Sequence, residues 1–455
     1  MRPNVLVVLS DDHGQWASGC YGNRELMTPT MDYLSATGVR MANAFTPTPV
    51  CSPARASFWT GLLPSQHGLH DFIRDNGDDS GTREWLRGTV TLAQLLHDAG
   101  YTCGLAGKWH CGQEDRRQPG FDDWFTSGRQ QPQHDGRRSF VHNDEVVELS
   151  GNLTHIVTDQ AVRFLRERDR HKPFFLFVGY SATHSPWSDH PERLVHAYRS
   201  CRFDDIPRDP TYPFGKMVRE SILPTRERPR EALAQYYAAV SEIDQGLGRL
   251  LDELDSEGLR STTLVVYTAD HGLNCSHHGI WGKGNSTWPQ NMVEESIRVP
   301  LILNQPGVIF PGQVRSEMVD HCDLFQTLLE LVDVPAPARS YPGRSFLRLA
   351  TNTGPVPGWR EAQFGEYGNL RMIRTRTHKL VRRYPDGPDE LFDLVADPRE
   401  CRNLFGDPGQ RELTDHLTAL LDAFFERYED PEKTGLRVLE QPRPNHTVAW
   451  LDPGP

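Results

Sequence analysis

In the stretch NVLVVLSDDHG, residues 4–14, a run of apolar residues is followed almost at once by two adjacent aspartates. A short continuous run of Val and Leu is typical of a strand that is buried on both faces of a parallel sheet. Three later stretches repeat the pattern, in which a strand ends and polar residues begin at once. They are YTCGLAG before Lys108 and His110, PFFLFVGYSAT before His184, and TTLVVYTA before Asp270 and His271.

Helical patterns separate these strands. They are TLAQLLHDAG, TDQAVRFLRERD, REALAQYYAAVSEIDQGLGRLLDELDSEG and DLFQTLLELV. Several end in glycine, as helices commonly do. The alternation of strands and helices predicts an α/β fold around a large, mostly parallel sheet. In open α/β sheets ligands bind beyond the carboxyl ends of the strands, so we expect the four polar groups to lie there together.

The chain has 455 residues, which exceeds the size at which one core usually stops growing. A region rich in Pro, Gly and Thr, VDVPAPARSYPG followed by TNTGPVPGW, predicts a connection between two domains. Short strand patterns and one amphipathic helix, RELTDHLTALLDAFFERYED, follow it. We therefore predict a large α/β domain over residues 1–350 and a smaller α+β domain over 351–455. The proline-punctuated end of the chain is either an irregular tail or an arm laid on a neighbouring subunit.

Composition excludes several classes of protein. The formal net charge of −12 argues against a nucleic-acid partner, because phosphate binding needs clustered Lys and Arg. We interpret the basic stretch RTRTHKLVRRY as a solvated strand face. No apolar run approaches the roughly 20 residues that span a membrane. The N-terminal apolar run ends in acids without a cleavage pattern, so we read it as a strand and expect a cytoplasmic protein.

Asp11 and Asp12 are the first candidates for a functional site. Two adjacent carboxylates repel each other unless a cation lies beside them, and hard divalent ions such as calcium and magnesium prefer oxygen ligands. Taken alone, such a pair also occurs in turns and helix caps. Asp270 and His271 stand at a second strand end, and metal sites draw ligands from separate strands, so together the four residues predict a metal site.

The stretch VCSPARASFWTG, residues 50–61, contains the one cysteine of eight whose surroundings are unusual. The eight show no CxxC pair, so we expect most of them to be small buried hydrophobic residues. Pro53 suits the first turn of a helix, and Arg55 lies near enough to stabilise an anionic neighbour. Cys51 is therefore predicted to stand at a helix N-terminus, a position that favours negative charge.

CSPARASFWTG resembles the signature of the type I sulfatases, C-x-P-x-R followed by Thr-Gly, in which the cysteine is oxidised after translation to formylglycine. Further segments resemble that family in its order along nearly the whole chain: TPTMDYLSATGVRMANAFTPTPVCSP, GLLPSQHG, GKWHCG, ATHSPW, TADHG, GIWGKG, EESIRVPLI and ELFDLVADPRECRNL. The resemblance implies an alkaline phosphatase-like α/β fold with a smaller C-terminal domain.

The resemblance also implies a set of metal ligands. They are Asp11, Asp12, Asp270 and His271, with the modified Cys51 completing the shell. The expected ion is calcium, and the softer imidazole of His271 leaves manganese open. A hydrated aldehyde at position 51 has two geminal hydroxyls. One attacks sulfur, and the second lets the sulfated residue return to the aldehyde by eliminating sulfate, which a serine could not do.

Other catalytic roles follow from the same resemblance. Arg55 and Lys108 match residues that orient the formylglycine and offset its charge, and His110 matches the base that deprotonates its second hydroxyl. His184 and Lys283 match residues that hold the sulfate and deliver a proton to the leaving oxygen.

Two histidines in NCSHHGIWGKGN are less clearly placed. His278 lies in a matching HG pair and is predicted to face the substrate. For His277 a pocket residue and an exposed loop residue remain equal alternatives.

The leading functional hypothesis is a sulfuric ester hydrolase that acts on a small aryl or carbohydrate sulfate monoester and is matured by a formylglycine-generating enzyme. The alternative is a phosphonate monoester or phosphodiester hydrolase that uses the same nucleophile and metal. A non-catalytic binding protein would have lost the nucleophile, a metal ligand or Arg55, and all are present. The tail permits a homo-oligomer without requiring one.

Overall fold

The computed structural model describes residues 2–74, 80–127, 137–188, 190–212, 216–217, 228–446 and 449–451. These residues contain eighteen strands: β1 Asn4–Ser10, β2 Val39–Phe45, β3 Thr102–Gly107, β4 Asp123–Thr126, β5 Arg137–His142, β6 Glu145–Ser150, β7 Phe174–Gly179, β8 Lys216–Met217, β9 Thr263–Ala269, β10 Asn274–Cys275, β11 Trp281–Gly282, β12 Thr287–Trp288, β13 Leu301–Asn304, β14 Gln313–Asp320, β15 Ala362–Tyr367, β16 Leu370–Thr375, β17 His378–Arg383 and β18 Glu390–Asp393.

The same residues contain eleven α-helices: α1 Pro29–Ala36, α2 Cys51–Thr60, α3 Pro64–His67, α4 Leu92–Asp98, α5 Leu153–Glu167, α6 Glu192–Arg199, α7 Pro229–Ser256, α8 Glu294–Ile297, α9 His321–Leu331, α10 Leu347–Thr351 and α11 Arg411–Tyr428. Within the described ranges, no helix has both the length and the apolar character that crossing a membrane requires.

Ten strands form one sheet in the order β14-β2-β13-β9-β1-β7-β3-β4-β5-β6. The central strands β9, β1, β7, β3 and β4 are all parallel to their neighbours within that group. Strand β13 is antiparallel to both of its neighbours, and β5 and β6 form an antiparallel hairpin at one end. The predicted α/β class with a large, mostly parallel sheet is confirmed.

Strand β1 is buried on both faces, as its continuous apolar run predicts. Val5, Val7 and Leu9 belong to a core that also contains side chains of α2, α4 and α9. Leu6 and Val8 point the other way, into a core with side chains of α1, α5 and α7. Helices therefore cover both faces of the sheet and leave the carboxyl ends of its strands free for a site.

A second sheet of four antiparallel strands, β15 to β18, follows in the chain, and α11 packs on it through Leu417, Leu421 and Phe425. This arrangement confirms the smaller α+β unit, while the boundary between residues 350 and 351 stays a prediction. The basic stretch is two strands, β16 and β17, and its interpretation as a solvated face is wrong. Within this stretch the side chains of Arg374, Lys379 and Arg383 are buried and paired with glutamates.

The described part of the C-terminal segment lies on its own chain. Asn445 Nδ2 donates hydrogen bonds to Asp71 Oδ2 at 3.1 Å and to the carbonyl oxygen of Phe72 at 2.7 Å. Trp450 packs edge-on against Tyr367 with 5.6 Å between the ring centroids. Of the two predicted alternatives, these contacts support an irregular tail; residues 447–448 and 452–455 lie outside the described residues.

Candidate active site

The four polar groups predicted at strand ends lie at one edge of the large sheet. Asp11 follows β1, Lys108 follows β3 and Asp270 follows β9 directly, and His184 comes shortly after β7. Because the order β9-β1-β7-β3 makes these strands parallel neighbours, their carboxyl ends meet. The fold therefore brings together residues that are far apart in the sequence.

Cys51 lies at the centre of this edge, as the first residue of α2. Its side chain is buried, and its Sγ is 3.3 Å from Asp11 Oδ1, 3.3 Å from His271 Nε2 and 2.8 Å from Lys283 Nζ. The first backbone amides of a helix and two cationic groups favour negative charge at this atom. This position confirms the predicted helix N-terminus and suits an anionic nucleophile.

The predicted metal ligands also converge on Cys51. Ligand atoms of Asp11, Cys51, Asp270 and His271 all lie within 4.8 Å of one another, and so do those of Asp11, Asp12, Cys51 and His184. Asp11, Asp270 and His271 are completely buried. Buried carboxylates grouped this closely need a cation, and oxygen ligands with one imidazole suit a divalent ion. The residues present therefore fit the ion that the sequence predicts.

Arg55 is fully buried and contacts two of the aspartates at the site. Its Nε donates to Asp270 Oδ2 at 2.8 Å, its guanidinium donates to the Lys108 carbonyl at 2.7 Å, and Asp11 Oδ2 lies at 3.4 Å. Burial opposes the charge of Arg55, but Asp270 and Asp11 outweigh that effect and raise its pKa. Burial likewise opposes the charge of Asp11, yet its ion pair with Lys108 and the nearby Arg55 hold the Asp11 pKa well below its ordinary value.

Lys283 and His271 both contact Asp12, the third carboxylate of the cluster. Lys283 Nζ is 2.6 Å from Asp12 Oδ1, and His271 Nε2 is 3.2 Å from the same oxygen. Burial opposes the charge of Lys283, but Asp12 raises its pKa. Burial also lowers the pKa of His271, and the neighbouring Asp270 more than reverses this, to about 9. The negative field of the three aspartates thus attracts every cation at the site.

His184 stands on the solvent side of the cluster. Its side chain is 40% exposed, and its Nε2 lies 4.0 Å from Asp12 Oδ2. Its Nδ1 is 2.5 Å from the carbonyl oxygen of Ser185, which fixes the ring orientation. His184 therefore lies at the boundary between the buried carboxylates and solvent.

His110 lies close enough to Lys108 and Asp11 for their charges to affect it. Its Nε2 is 2.9 Å from the carbonyl oxygen of Ile73, so Nε2 carries the proton and Nδ1 carries the lone pair. That Nδ1 is buried and has no hydrogen-bond partner among the described residues. Burial lowers the pKa of His110 to about 3, so the ring is neutral near pH 7. The ring therefore presents that one free buried acceptor toward its surroundings, and a pKa this low makes the nitrogen a weak base.

The structure does not bring His278 to this cluster. Its imidazole is 2% exposed and its Nε2 is 3.1 Å from Glu295 Oε2, and its side chain is therefore turned toward a carboxylate of α8. This placement gives the prediction that His278 faces the substrate no support, and it stays a prediction. His277 is not an exposed loop residue either, because it is buried against Trp16 with 4.7 Å between the ring centroids.

The sequence did not point to the residues that hold the turn at Asp11 and Asp12. Thr183 Oγ1 donates to the Asp12 carbonyl at 2.7 Å and lies 3.1 Å from the Asp11 carbonyl. Tyr236 of α7 also donates to the Asp12 carbonyl, at 3.1 Å. Asp12 needs this support because its φ of 55° is unfavourable for a residue with a side chain. The position of Thr183 directly before His184 is a local signal, whereas Tyr236 has none.

Comparison with known proteins adds independent findings. A family model described as "Sulfatase" matches residues 3–334, and one described as "N-sulphoglucosamine sulphohydrolase, C-terminal" matches residues 284–427. The N-acetylglucosamine-6-O-sulfatase of Bacteroides thetaiotaomicron is 28% identical over 94% of this chain and 87% of its own length. These matches span both the large and the small sheet.

Two solved structures are also similar. One, in complex with its substrate D-glucosamine-2-N,6-O-disulfate, has a TM-score of 0.79 and 25% identity and covers 95% of this chain and 99% of its own. The phosphonate monoester hydrolase of Agrobacterium radiobacter has a TM-score of 0.76 and 20% identity and covers 94% of this chain and 96% of its own. At that identity the second likeness concerns the fold alone.

Proposed function

The chain belongs to the sulfatase family of sulfuric ester hydrolases, within the alkaline phosphatase superfamily, and from that premise we propose that it removes sulfate from a sulfated sugar. The observation that carries the proposal is the buried Cys51 at the head of α2, surrounded by three aspartates and the cations Arg55, Lys108 and Lys283. The glucosamine-type names of two relatives favour a carbohydrate ester over an aryl ester.

The nucleophile in this proposal is Cys51 after its conversion to formylglycine by a formylglycine-generating enzyme. When hydrated, that residue supplies two geminal hydroxyls, one to attack sulfur and one whose deprotonation expels sulfate. His110 supports this assignment, because its neutral ring presents a buried Nδ1 lone pair with no partner among the described residues. We assign to His110 the removal of the proton from the second hydroxyl.

Asp11, Asp12, Asp270 and His271 are the proposed ligands of one divalent ion, with residue 51 as a further ligand. Three carboxylates favour calcium, and the imidazole keeps manganese as the second choice. Such an ion supplies Lewis-acid polarisation and lowers the pKa of a hydroxyl bound to it. Arg55 holds Asp270 and Asp11 in place for this role through the bonds described above.

Lys283 and His184 are the proposed contacts of the sulfate group, and Lys108 is assigned to orienting residue 51 and offsetting its charge. Lys108 pairs with Asp11 and Lys283 pairs with Asp12, and both side chains are only slightly exposed. His184 is the most exposed of the three and is assigned the proton delivered to the leaving sugar oxygen. An alcohol leaving group needs that proton because its alkoxide is a poor leaving group.

Substrate comparison tests the proposal. We expect the protein, coexpressed with a formylglycine-generating enzyme, to release sulfate from glucosamine 6-sulfate and 4-nitrophenyl sulfate, and the Cys51→Ala variant to release none. The mass of the tryptic peptide Met41–Arg55 reports the conversion of Cys51 directly. Faster turnover of an aryl phosphonate monoester than of either sulfate would contradict the proposal and favour the phosphonate hydrolase alternative.

A further inference from the structure

A cavity of about 360 Å³ lies behind the loop that carries Lys108 and His110, and none of the roles above uses it. Two chain segments, residues 83–94 and 109–119, supply its walls. Cavities of this size accept ligands of about one sugar ring. We call it the arginine cavity, for the arginines described below.

The inner wall of the arginine cavity is apolar and aromatic. Trp85 and Trp109 are both buried, and their indole nitrogens already donate to backbone carbonyl oxygens, at 2.8 Å and 3.0 Å. Only 8% of Trp85 and 2% of Trp109 is exposed, and this small area is the apolar ring surface that a ligand can reach. Hydroxyl and amide side chains surround this surface, namely Thr89, Gln94, Gln113 and Gln118. Aromatic surface bordered by neutral hydrogen-bonding groups suits a sugar ring, which has apolar C–H faces and hydroxyl edges.

The rim of the cavity is strongly basic, although the whole chain has a formal net charge of −12. Four arginines line it, Arg83, Arg87, Arg116 and Arg117, together with the acid Glu84, and Asp144 lies 3.8 Å from Arg117. Glu84 pairs with Arg116 at 2.7 Å and lies 3.9 Å from Arg87.

Arg83 stands apart from the other three. Its guanidinium lies over the Trp85 ring, 5.2 Å from the centroid, and within the described ranges no carboxylate pairs with it. The positive charge that remains at the rim suits a sulfate or carboxylate group.

The cavity shares its wall with the catalytic site. Its lining residue Trp109 lies between Lys108 and His110 in the chain. The Sγ of Cys111, another lining residue, is 3.9 Å from the carbonyl oxygen of Ser52, the residue that follows Cys51. The backbone N–H of His110 also donates to Glu114 Oε1 at 2.7 Å, and Glu114 stands between the lining residues Gln113 and Arg116 in the chain.

We propose that the arginine cavity binds an anionic sugar unit that carries a sulfate or a carboxylate group. The inference rests on the proposed function, because it takes the substrate of the catalytic site to be a sulfated sugar. The unit comes either from the same oligosaccharide whose ester is cleaved at Cys51 or from a separate saccharide, and the chemistry recognised is the same. Arg83 and Arg87 hold the anionic group, and the aromatic wall contacts the ring.

The test compares an Arg83→Gln, Arg87→Gln double variant with the wild type. Arg427→Gln is the matched control, because Arg427 is also exposed and lies 5.2 Å from the centroid of an aromatic ring, that of Tyr428, on the distant α11. Substrates are a heparin-derived sulfated tetrasaccharide and 4-nitrophenyl sulfate. Thermal unfolding confirms that all variants are folded.

If the unit belongs to the cleaved chain, the double variant shows a KM for the tetrasaccharide raised about tenfold, from the loss of charge-assisted hydrogen bonds. Its kcat and its constants for 4-nitrophenyl sulfate stay unchanged. If the unit is separate, an unsulfated hyaluronan disaccharide alters wild-type turnover of 4-nitrophenyl sulfate and has no effect on the double variant. Unchanged constants in both assays, or equal changes in the Arg427→Gln control, overturn the proposal.

Failure of the proposed function has a different signature. In that case the wild type releases no sulfate from any sugar or aryl ester. Calorimetric titration of the tetrasaccharide into the wild type and the double variant then decides the binding question alone. Binding that the double variant weakens about tenfold supports the arginine cavity, and equal binding overturns it.

Discussion

Asp11 is fully buried, yet it stays ionised because Lys108 and Arg55 lie beside it. The same argument applies to Asp270, whose carboxylate is held by Arg55. Single residues at this site are therefore not independent. Each buried charge is stabilised by a specific partner, and the loss of one partner leaves another charge without compensation.

Removal of the divalent ion gives the first prediction at this scale. We expect dialysis against a chelator to abolish turnover and to lower the thermal unfolding midpoint, because Asp11, Asp12 and Asp270 then repel one another. An ion at about 100 times its dissociation constant contributes about 2.7 kcal/mol of stability. Differential scanning calorimetry with calcium, manganese or no ion measures the effect. The Asp270→Asn variant should not respond to added ion, and an unchanged wild-type midpoint would show that the cluster holds none.

At the scale of elements, α1 and α7 are joined by a cap that comes from a distant part of the chain. Asp244 of α7 accepts hydrogen bonds from the backbone N–H groups of Thr30 and Met31, at 3.0 Å and 2.8 Å, in the first turn of α1. The side chain of the adjacent N-cap residue Thr28 makes no such bond. Asp244 therefore replaces a local cap and fixes the orientation of the two helices.

This cap predicts a pH dependence of stability. Burial raises the pKa of Asp244 from an ordinary 3.8 to about 6, so between these values the folded state binds the proton more tightly than the unfolded state. This residue's contribution to stability is present at low pH and is lost as the pH rises through that window. We expect the Asp244→Asn variant not to show this loss. The stability of the variant relative to that of the wild type should therefore increase by about 2 kcal/mol from pH ~4 to pH ~7.

Urea unfolding across that pH range measures the difference between Asp244→Asn and the wild type. Asp252→Asn, at an exposed position on the same helix, is the control and should follow the wild type. Parallel pH profiles for Asp244→Asn and the wild type would contradict the prediction.

At the scale of the whole molecule, buried ion pairs join the two sheets. Glu294 of α8 pairs with Arg374 of β16 at 3.1 Å and with Lys379 of β17 at 3.2 Å. Glu400 accepts the backbone N–H of Glu294 at 2.7 Å and forms an ion pair with Lys379. The basic side chains of the small sheet can be buried because they face acidic residues. One of these acids, Glu294, lies close to Lys283 in the chain.

Breaking this junction gives the prediction at this scale. Glu294→Gln leaves the buried Arg374 without its carboxylate and Lys379 with Glu400 alone, and we expect a loss of about 3 kcal/mol in the free energy of unfolding. Burial opposes the charge of Glu294, yet Lys379 and Arg374 lower its pKa to about 2. Its contribution is therefore present above pH ~4.5 and is lost as the pH falls toward ~2.

Urea unfolding at neutral pH measures the loss. Glu330→Gln is the control, because Glu330 is exposed on α9. If Glu294→Gln were as stable as this control, the ion pairs would contribute nothing to the junction of the sheets.

The sequence by itself determined the features that local patterns encode. The four apolar runs are parallel strands, the patterns between them are helices, and Cys51 begins a helix beside its predicted partners. These features were predictable because strand burial, helix period and the spacing CSPAR all lie within a few consecutive residues. The cytoplasmic location and the oligomeric state stay predictions.

The pairing of distant residues could not be read from local patterns and came from the fold. His278 is turned toward Glu295, Arg374 is buried against Glu294, and the tail residue Asn445 bonds to Asp71. The last two of these pairs join residues that are 80 and 374 positions apart. A local pattern shows that a side chain is charged or polar. Whether it faces solvent, a substrate or an opposite charge depends on which elements the fold packs against it.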